Sequence, residues 1–125
     1  MGDRKTVLAI DDNAMQLELF KKMLGEKYDV RTANSASAAL AFLNSSHADL
    51  ILLDIEMPNI TGFDFLYDIK SIPSHMGVPI IIVSGKTGKE FFDEARSSGA
   101  FDVLSKPVKH ENLLETIEKA LASKG

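Results

Sequence analysis

Asp49-Leu50-Ile51-Leu52-Leu53-Asp54-Ile55-Glu56-Met57-Pro58 is the stretch on which the fold turns. Four aliphatic residues in succession, without polar alternation, read as a parallel strand buried on both faces. The run stops at a carboxylate, and Pro58 and then Gly62 follow, so the strand delivers Asp54 to a loop. Taken alone, Asp54 could equally cap a helix or a turn. The segments on either side decide between these readings.

Upstream, Thr6-Val7-Leu8-Ala9-Ile10 is a short apolar run that stops at Asp11-Asp12. Asp12 or Asn13 can cap the helix that follows, which carries Met15, Leu19, Phe20, Met23 and Leu24 at three-to-four spacing and ends at Gly25. Residues 28–33 read as a weaker strand, with Tyr28, Val30 and Thr32 alternating with Asp29 and Arg31, as expected at a sheet edge. Ser35 caps a second helix with Ala36, Ala39, Leu40 and Leu43 on one face.

Downstream of Asp54, Thr61 is positioned to cap a third helix with Phe63, Leu66 and Ile69 inward, closed by Pro73. Residues 78–83 form a fourth apolar run ending at Ser84-Gly85. Thr87 or Gly88 opens a fourth helix carrying Phe91, Phe92 and Ala95, which Gly99 ends. Residues 100–104 make a fifth strand ending at Ser105-Lys106-Pro107, and a last helix carries Leu113, Leu114, Ile117 and Leu121. Phe20, Phe63, Phe65 and Phe101 read as core or its margin. His47, His75 and His110 read as separate loop or helix-start residues, and Glu111, Glu115, Glu118 and Lys119 as a solvated helix face.

Strands and helices alternate throughout. The fold class is therefore α/β: a flavodoxin-like five-stranded parallel sheet with right-handed crossovers and helices on both faces. The edge character of the second strand suits the order 2-1-3-4-5, in which ligands bind at the carboxyl ends of the strands. The 125 residues suit a single domain, 1–125, with no repeat or linker. A net charge of -4 argues against direct nucleic-acid binding. No apolar run approaches a membrane span of about 18 residues. The absence of cysteine suits a cytoplasmic protein and excludes disulfides, thiolate zinc sites and a cysteine nucleophile.

Four strand ends thus converge, bringing Asp11, Asp12, Asp54, Ser84 and Lys106. Three carboxylates in one pocket repel each other and call for a cation. An all-oxygen set without histidine favours Mg²⁺ over Ca²⁺ or Zn²⁺. A lysine and a hydroxyl opposite the carboxylates are suitable donors to phosphoryl oxygens, and a carboxylate can itself be the nucleophile.

These pieces together resemble the response-regulator receiver domain of two-component signalling, similar to chemotaxis-type regulators. They are Asp11-Asp12, Asp54-Ile55-Glu56-Met57-Pro58 with Gly62, Ser84-Gly85, and Gly99-Ala100-Phe101-Asp102 leading to Lys106-Pro107. The resemblance implies that Asp54 accepts phosphate from a histidine of a sensor kinase or phosphotransfer protein. It implies that Asp12 binds Mg²⁺ directly and Asp11 mainly through water, with Asp54 and the Glu56 backbone carbonyl completing the protein ligands. Ser84 would bond the phosphoryl group, and Lys106 would pair with Asp54 before transfer and with phosphate after it. Lys106-Pro107 would be cis. Such a domain is a signalling receiver that catalyses its own phosphorylation and dephosphorylation, not an enzyme with a separate substrate. It switches a downstream output protein or domain, or self-association as a homodimer, and either stands alone or belongs to a longer chain.

Two departures from the family pattern stand out, the first being Gly85 after Ser84, where Ala is more usual. Val103 occupies a position where the family often has Tyr or Phe, so a movement of the fourth helix is expected in place of an aromatic rotamer switch. One of Phe91 and Phe92 is expected to pack inward, and the other to lie near Val103 and the last helix as an anchor for a partner. Glu56 and Lys86 are expected to face each other across the mouth of the site. Among rivals, a haloacid-dehalogenase-like phosphatase wants Asp-x-Asp after the first strand, where Asp11 and Asp12 are adjacent. An FMN carrier wants an uncharged phosphate loop there. A pseudo-receiver that never sees phosphate would not need all of Asp11, Asp12, Asp54, Ser84 and Lys106.

Overall fold

The computed structural model describes residues 4–58, 63–86 and 88–123. Its elements run β1 (Thr6–Ile10), α1 (Ala14–Leu24), β2 (Asp29–Ala33), α2 (Ala36–Ser45), β3 (Leu50–Asp54), α3 (Asp64–Lys70), a 3₁₀ turn (Pro73–His75), β4 (Ile80–Ser84), α4 (Lys89–Ser97), β5 (Asp102–Ser105) and α5 (His110–Ser123). All strand pairs are parallel, and the order is β2-β1-β3-β4-β5. The expected flavodoxin-like sheet is therefore present, with β2 at one edge.

Strand alternation divides the core in two. Leu8, Ile10, Ile51, Leu53, Ile80 and Ile82 point toward α2, α3 and α4. Val7, Ala9, Leu50, Leu52, Ile81 and Val83 point toward α1 and α5. Burial on both faces explains the continuous aliphatic runs of β3 and β4, since neither strand has a solvent side to carry polar residues. Fully burying one such side chain stabilises the fold by about 1.5–3 kcal/mol before entropy is counted.

Local signals set the helix starts. Asn13 caps α1, its side chain accepting from the Met15 and Gln16 amides at 2.9 and 3.1 Å. Ser35 caps α2 through the Ala38 amide at 3.0 Å. Gly88 precedes α4 with φ of 115°. Gly99 follows it with φ of 107°, a left-handed backbone conformation that favours glycine. Thr61 and Thr87, read as caps, lie outside the described residues.

The structure corrects the expected face of α1. Met15 is 82% and Leu19 44% exposed, while Leu17, only 7% exposed, joins Phe20 and Leu24 in the core. Met15, Leu19 and Met23 repeat at four-residue spacing and mimic a buried stripe, but the packing of α1 against β1, β3 and α5 selects the neighbouring stripe. Strand β5 also sits later than expected, at 102–105. Among the described residues, no helix is long and apolar enough to cross a membrane.

Candidate functional site

The carboxyl ends of β1, β3, β4 and β5 place the site. Asp11 directly follows β1 and Asp54 ends β3; the two strands are paired, with Ile10 opposite Leu53. Asp11 is 1% and Asp54 4% exposed, whereas Asp12 is exposed. Carboxylate oxygens from Asp11, Asp12 and Asp54 lie within 4.8 Å of one another.

Backbone amides fix half of each buried carboxylate. The Asn13 amide donates to Asp11 Oδ1 at 2.9 Å, and the Glu56 amide donates to Asp54 Oδ1 at 2.9 Å. Both bonds span two residues, the geometry of an Asx turn, so each acid is held by the loop it starts. The outer oxygens face each other and a lysine. Lys106 Nζ lies 3.4 Å from Asp54 Oδ2 and 3.9 Å from Asp11 Oδ2. The Lys106–Pro107 peptide is cis.

Asp11 Oδ2 is buried and has no hydrogen-bond partner among the described residues. Burial pushes the Asp11 carboxyl from 3.8 to about 6, and the neighbouring Asp54 charge adds to the rise. The Asn13 amide and Lys106 pull the other way without cancelling it. A buried oxygen lacking a donor, inside a cluster of three carboxylates with one lysine at its edge, is the chemistry of a hard divalent cation site.

Ser84, the last residue of β4, is fully buried. Its hydroxyl accepts from the Lys86 amide at 2.9 Å, and its carbonyl accepts from the Lys106 amide at 2.9 Å. The lysine-bearing loop is thus tied to the end of β4. The structure therefore brings Asp11, Asp12, Asp54, Ser84 and Lys106 to one end of the sheet.

Three details differ from expectation or went unseen. Glu56 and Lys86 do line one pocket, but no ion pair joins them; Glu56 Oε1 instead accepts from the Gly85 amide at 2.9 Å. His47 and His75 do not sit apart: their rings stack with centroids 5.3 Å apart. His75 is buried, its Nε2 accepting from the Ala48 amide at 3.1 Å and its Nδ1 lying 2.8 Å from Ser74 Oγ. That pair sits beside the start of β3, at the opposite end of the sheet from Asp54. The amides of Asn13, Glu56 and Gly85 carry much of the site's geometry, and only the spacing of turn-forming acids hints at them.

Phe91 packs on Phe63, with ring centroids 5.7 Å apart, and against the core on the α2–α4 side. Phe92 lines a groove with Val103, Leu104, Pro107, Val108 and Asn112. Both rings are half-buried.

Comparison with known proteins agrees with this geometry. A family profile described as "Response regulator receiver domain" matches residues 7–118. The transcriptional regulatory protein ZraR of Escherichia coli K12 is 34% identical over 121 residues, covering 96% of this chain and 27% of that protein. Response regulator PleD of Caulobacter vibrioides is 32% identical over 103 residues, covering 82% of this chain and 23% of that protein. The chain thus spans about a quarter of the length of these curated relatives. Among solved structures, chemotaxis response regulator CheY4 of Vibrio cholerae superposes with a TM-score of 0.87 at 30% identity, covering 94% of this chain and 98% of that one. A receiver domain protein of Methanospirillum hungatei JF-1 gives 0.88 at 29% identity, with 98% and 97% covered.

Proposed function

The chain belongs to the response-regulator receiver family and is a phosphoacceptor signalling module, and from that premise we propose that Asp54 is its phosphoacceptor. The observation that carries this assignment is the placement of Asp54 Oδ2 3.4 Å from Lys106 Nζ, beside the orphaned Oδ2 of Asp11.

In this reading a carboxylate oxygen of Asp54 attacks the phosphorus of a phosphohistidine on a sensor kinase or phosphotransfer protein. The P–N bond breaks, its electron pair stays on the imidazole, and that nitrogen takes a proton from solvent. The Glu56 amide holds the other carboxylate oxygen and orients the nucleophile. Lys106 stands within reach of the transferred group as a cationic donor, and the Ser84 hydroxyl, now engaged by the Lys86 amide, can turn to a phosphoryl oxygen. The residues that would hold Mg²⁺ are Asp11, Asp12 and Asp54 through their carboxylates and Glu56 through its carbonyl. When bound, the ion offsets the repulsion among the carboxylates and the incoming phosphoryl oxygens.

The same residues serve hydrolysis of the aspartyl phosphate, in which water attacks phosphorus, the P–O bond to Asp54 breaks, the carboxylate is restored and inorganic phosphate leaves, so the domain catalyses its own phosphorylation and dephosphorylation without a separate substrate. The groove lined by Phe92 and Val103 is assigned as the surface that meets the output protein or domain, or a second copy. The setting proposed is cytoplasmic, and residues 1–125 are taken as one receiver unit.

Acetyl phosphate with Mg²⁺, read by intact mass, tests the reading. The expected result is the gain of one phosphoryl group that EDTA abolishes. A haloacid-dehalogenase-like phosphatase would instead turn over an added phosphomonoester, and a pseudo-receiver would gain no mass.

A further inference from the structure

Hydrogen bonds join the acceptor carboxylate to the loop after β4 through one side chain. Asp54 Oδ1 accepts from the Glu56 amide, and Glu56 Oε1 accepts from the Gly85 amide, each at 2.9 Å. Gly85 adjoins Ser84, whose hydroxyl is held by the Lys86 amide. Asp54 is registered with Val83, so Ser84 and Gly85 lie just past the strand end beside it. Glu56 is exposed, yet its carboxylate rests on a backbone donor across the site; a Cβ on Gly85 would be 3.5 Å from Oε1.

We propose that Glu56 is a positioning residue that latches Gly85, just past the end of β4, in its unphosphorylated arrangement by occupying its amide, and that a phosphoryl group on Asp54 displaces it. This rests on Asp54 being the phosphoacceptor. Transfer turns the Asp54 carboxylate into an acyl phosphate carrying up to about two negative charges and strong acceptor oxygens. That group repels the Glu56 carboxylate and competes for the same amide, where a charge-assisted bond to the phosphoryl oxygen replaces the one to Glu56. Release of Gly85 frees Ser84 to move with it. Because α4 begins at Lys89, the exchange is passed directly to the helix that carries Phe91 and Phe92. The latch holds Gly85 back until phosphate arrives, so its removal should accelerate phosphorylation.

Glu56→Gln and Glu56→Ala separate this from a through-space charge effect, since the glutamine oxygen can still accept from Gly85. The latch predicts labelling by acetyl phosphate about three-fold faster or more in Glu56→Ala, with Glu56→Gln within about two-fold of the native rate. Equal acceleration in both variants would assign the effect to charge alone and overturn the latch, as would a native rate in Glu56→Ala. Amide hydrogen exchange at Gly85 in the unphosphorylated protein is the independent arm. It should speed up in Glu56→Ala and not in Glu56→Gln, and unchanged exchange in Glu56→Ala overturns the proposal whatever the labelling shows. If the native protein takes no phosphate, or Asp54→Asn takes it equally, the phosphoacceptor reading fails instead, and the exchange arm still decides the latch.

Discussion

Replacing Asp11 with asparagine should stabilise the metal-free protein. Asp11 is 1% exposed, its Oδ2 has no hydrogen-bond donor among the described residues, and its carboxyl is raised from 3.8 to about 6. At about 1.4 kcal/mol per pH unit, the ionised carboxylate costs the fold on the order of 3 kcal/mol at neutral pH. Asparagine keeps an oxygen for the Asn13 amide and offers an N–H to the facing carboxylates, though its fit is imperfect. The expected gain is therefore about 1–3 kcal/mol. The pH dependence carries a definite sign. As pH falls through about 6 the native carboxyl takes up a proton, while the unfolded chain does so only near 3.8, so this cost is relieved on acidification between those values. Urea unfolding in EDTA at several pH values measures both effects. The advantage of Asp11→Asn over the native protein should be largest at pH 7 and shrink toward pH 4. A variant less stable than the native protein at pH 7, or an advantage that grows with acid, would refute the burial and repulsion argument.

Mg²⁺ at ten times its dissociation constant should stabilise the native protein by about 1.4 kcal/mol, measured by urea unfolding with and without EDTA, and should do less for Asp11→Asn. On α1, Leu17→Ala should cost about 2–4 kcal/mol and Leu19→Ala less than about 1 kcal/mol, a contrast that urea midpoints resolve directly. Phe91→Ala loses the Phe63 contact and core packing and should cost about 2–4 kcal/mol. Phe92→Ala should cost less than Phe91→Ala and weaken phosphorylation-dependent association, read by light scattering or partner titration; equal large losses of stability would leave no ring for docking.

The strand ends were legible because a buried parallel strand has no polar alternation, so the residue where an aliphatic run stops is marked. Asp11, Asp54, Ser84 and Lys106 were all found this way, and the edge position of β2 followed from its mixed composition. The face of α1 was not legible. Two apolar stripes, one through Met15 and Leu19 and one through Leu17, Phe20 and Leu24, both suit a helical period, and only packing against β1, β3 and α5 separates them. The stacking of His47 on His75 joins residues brought together by the crossover between β3 and β4, which no local pattern reveals. The Glu56–Gly85 bond escaped for another reason. A backbone amide has no letter in the sequence, so the charged neighbour Lys86 looked like the natural partner.

The most direct test of the account is the site of labelling. Native protein and Asp54→Asn, each with Mg²⁺ and acetyl phosphate, are compared by intact mass and peptide mapping. One phosphoryl group is expected on the peptide containing Asp54 in the native protein and none in the variant. Equal labelling of Asp54→Asn, or a phosphoryl group mapped to another residue in the native protein, would contradict it.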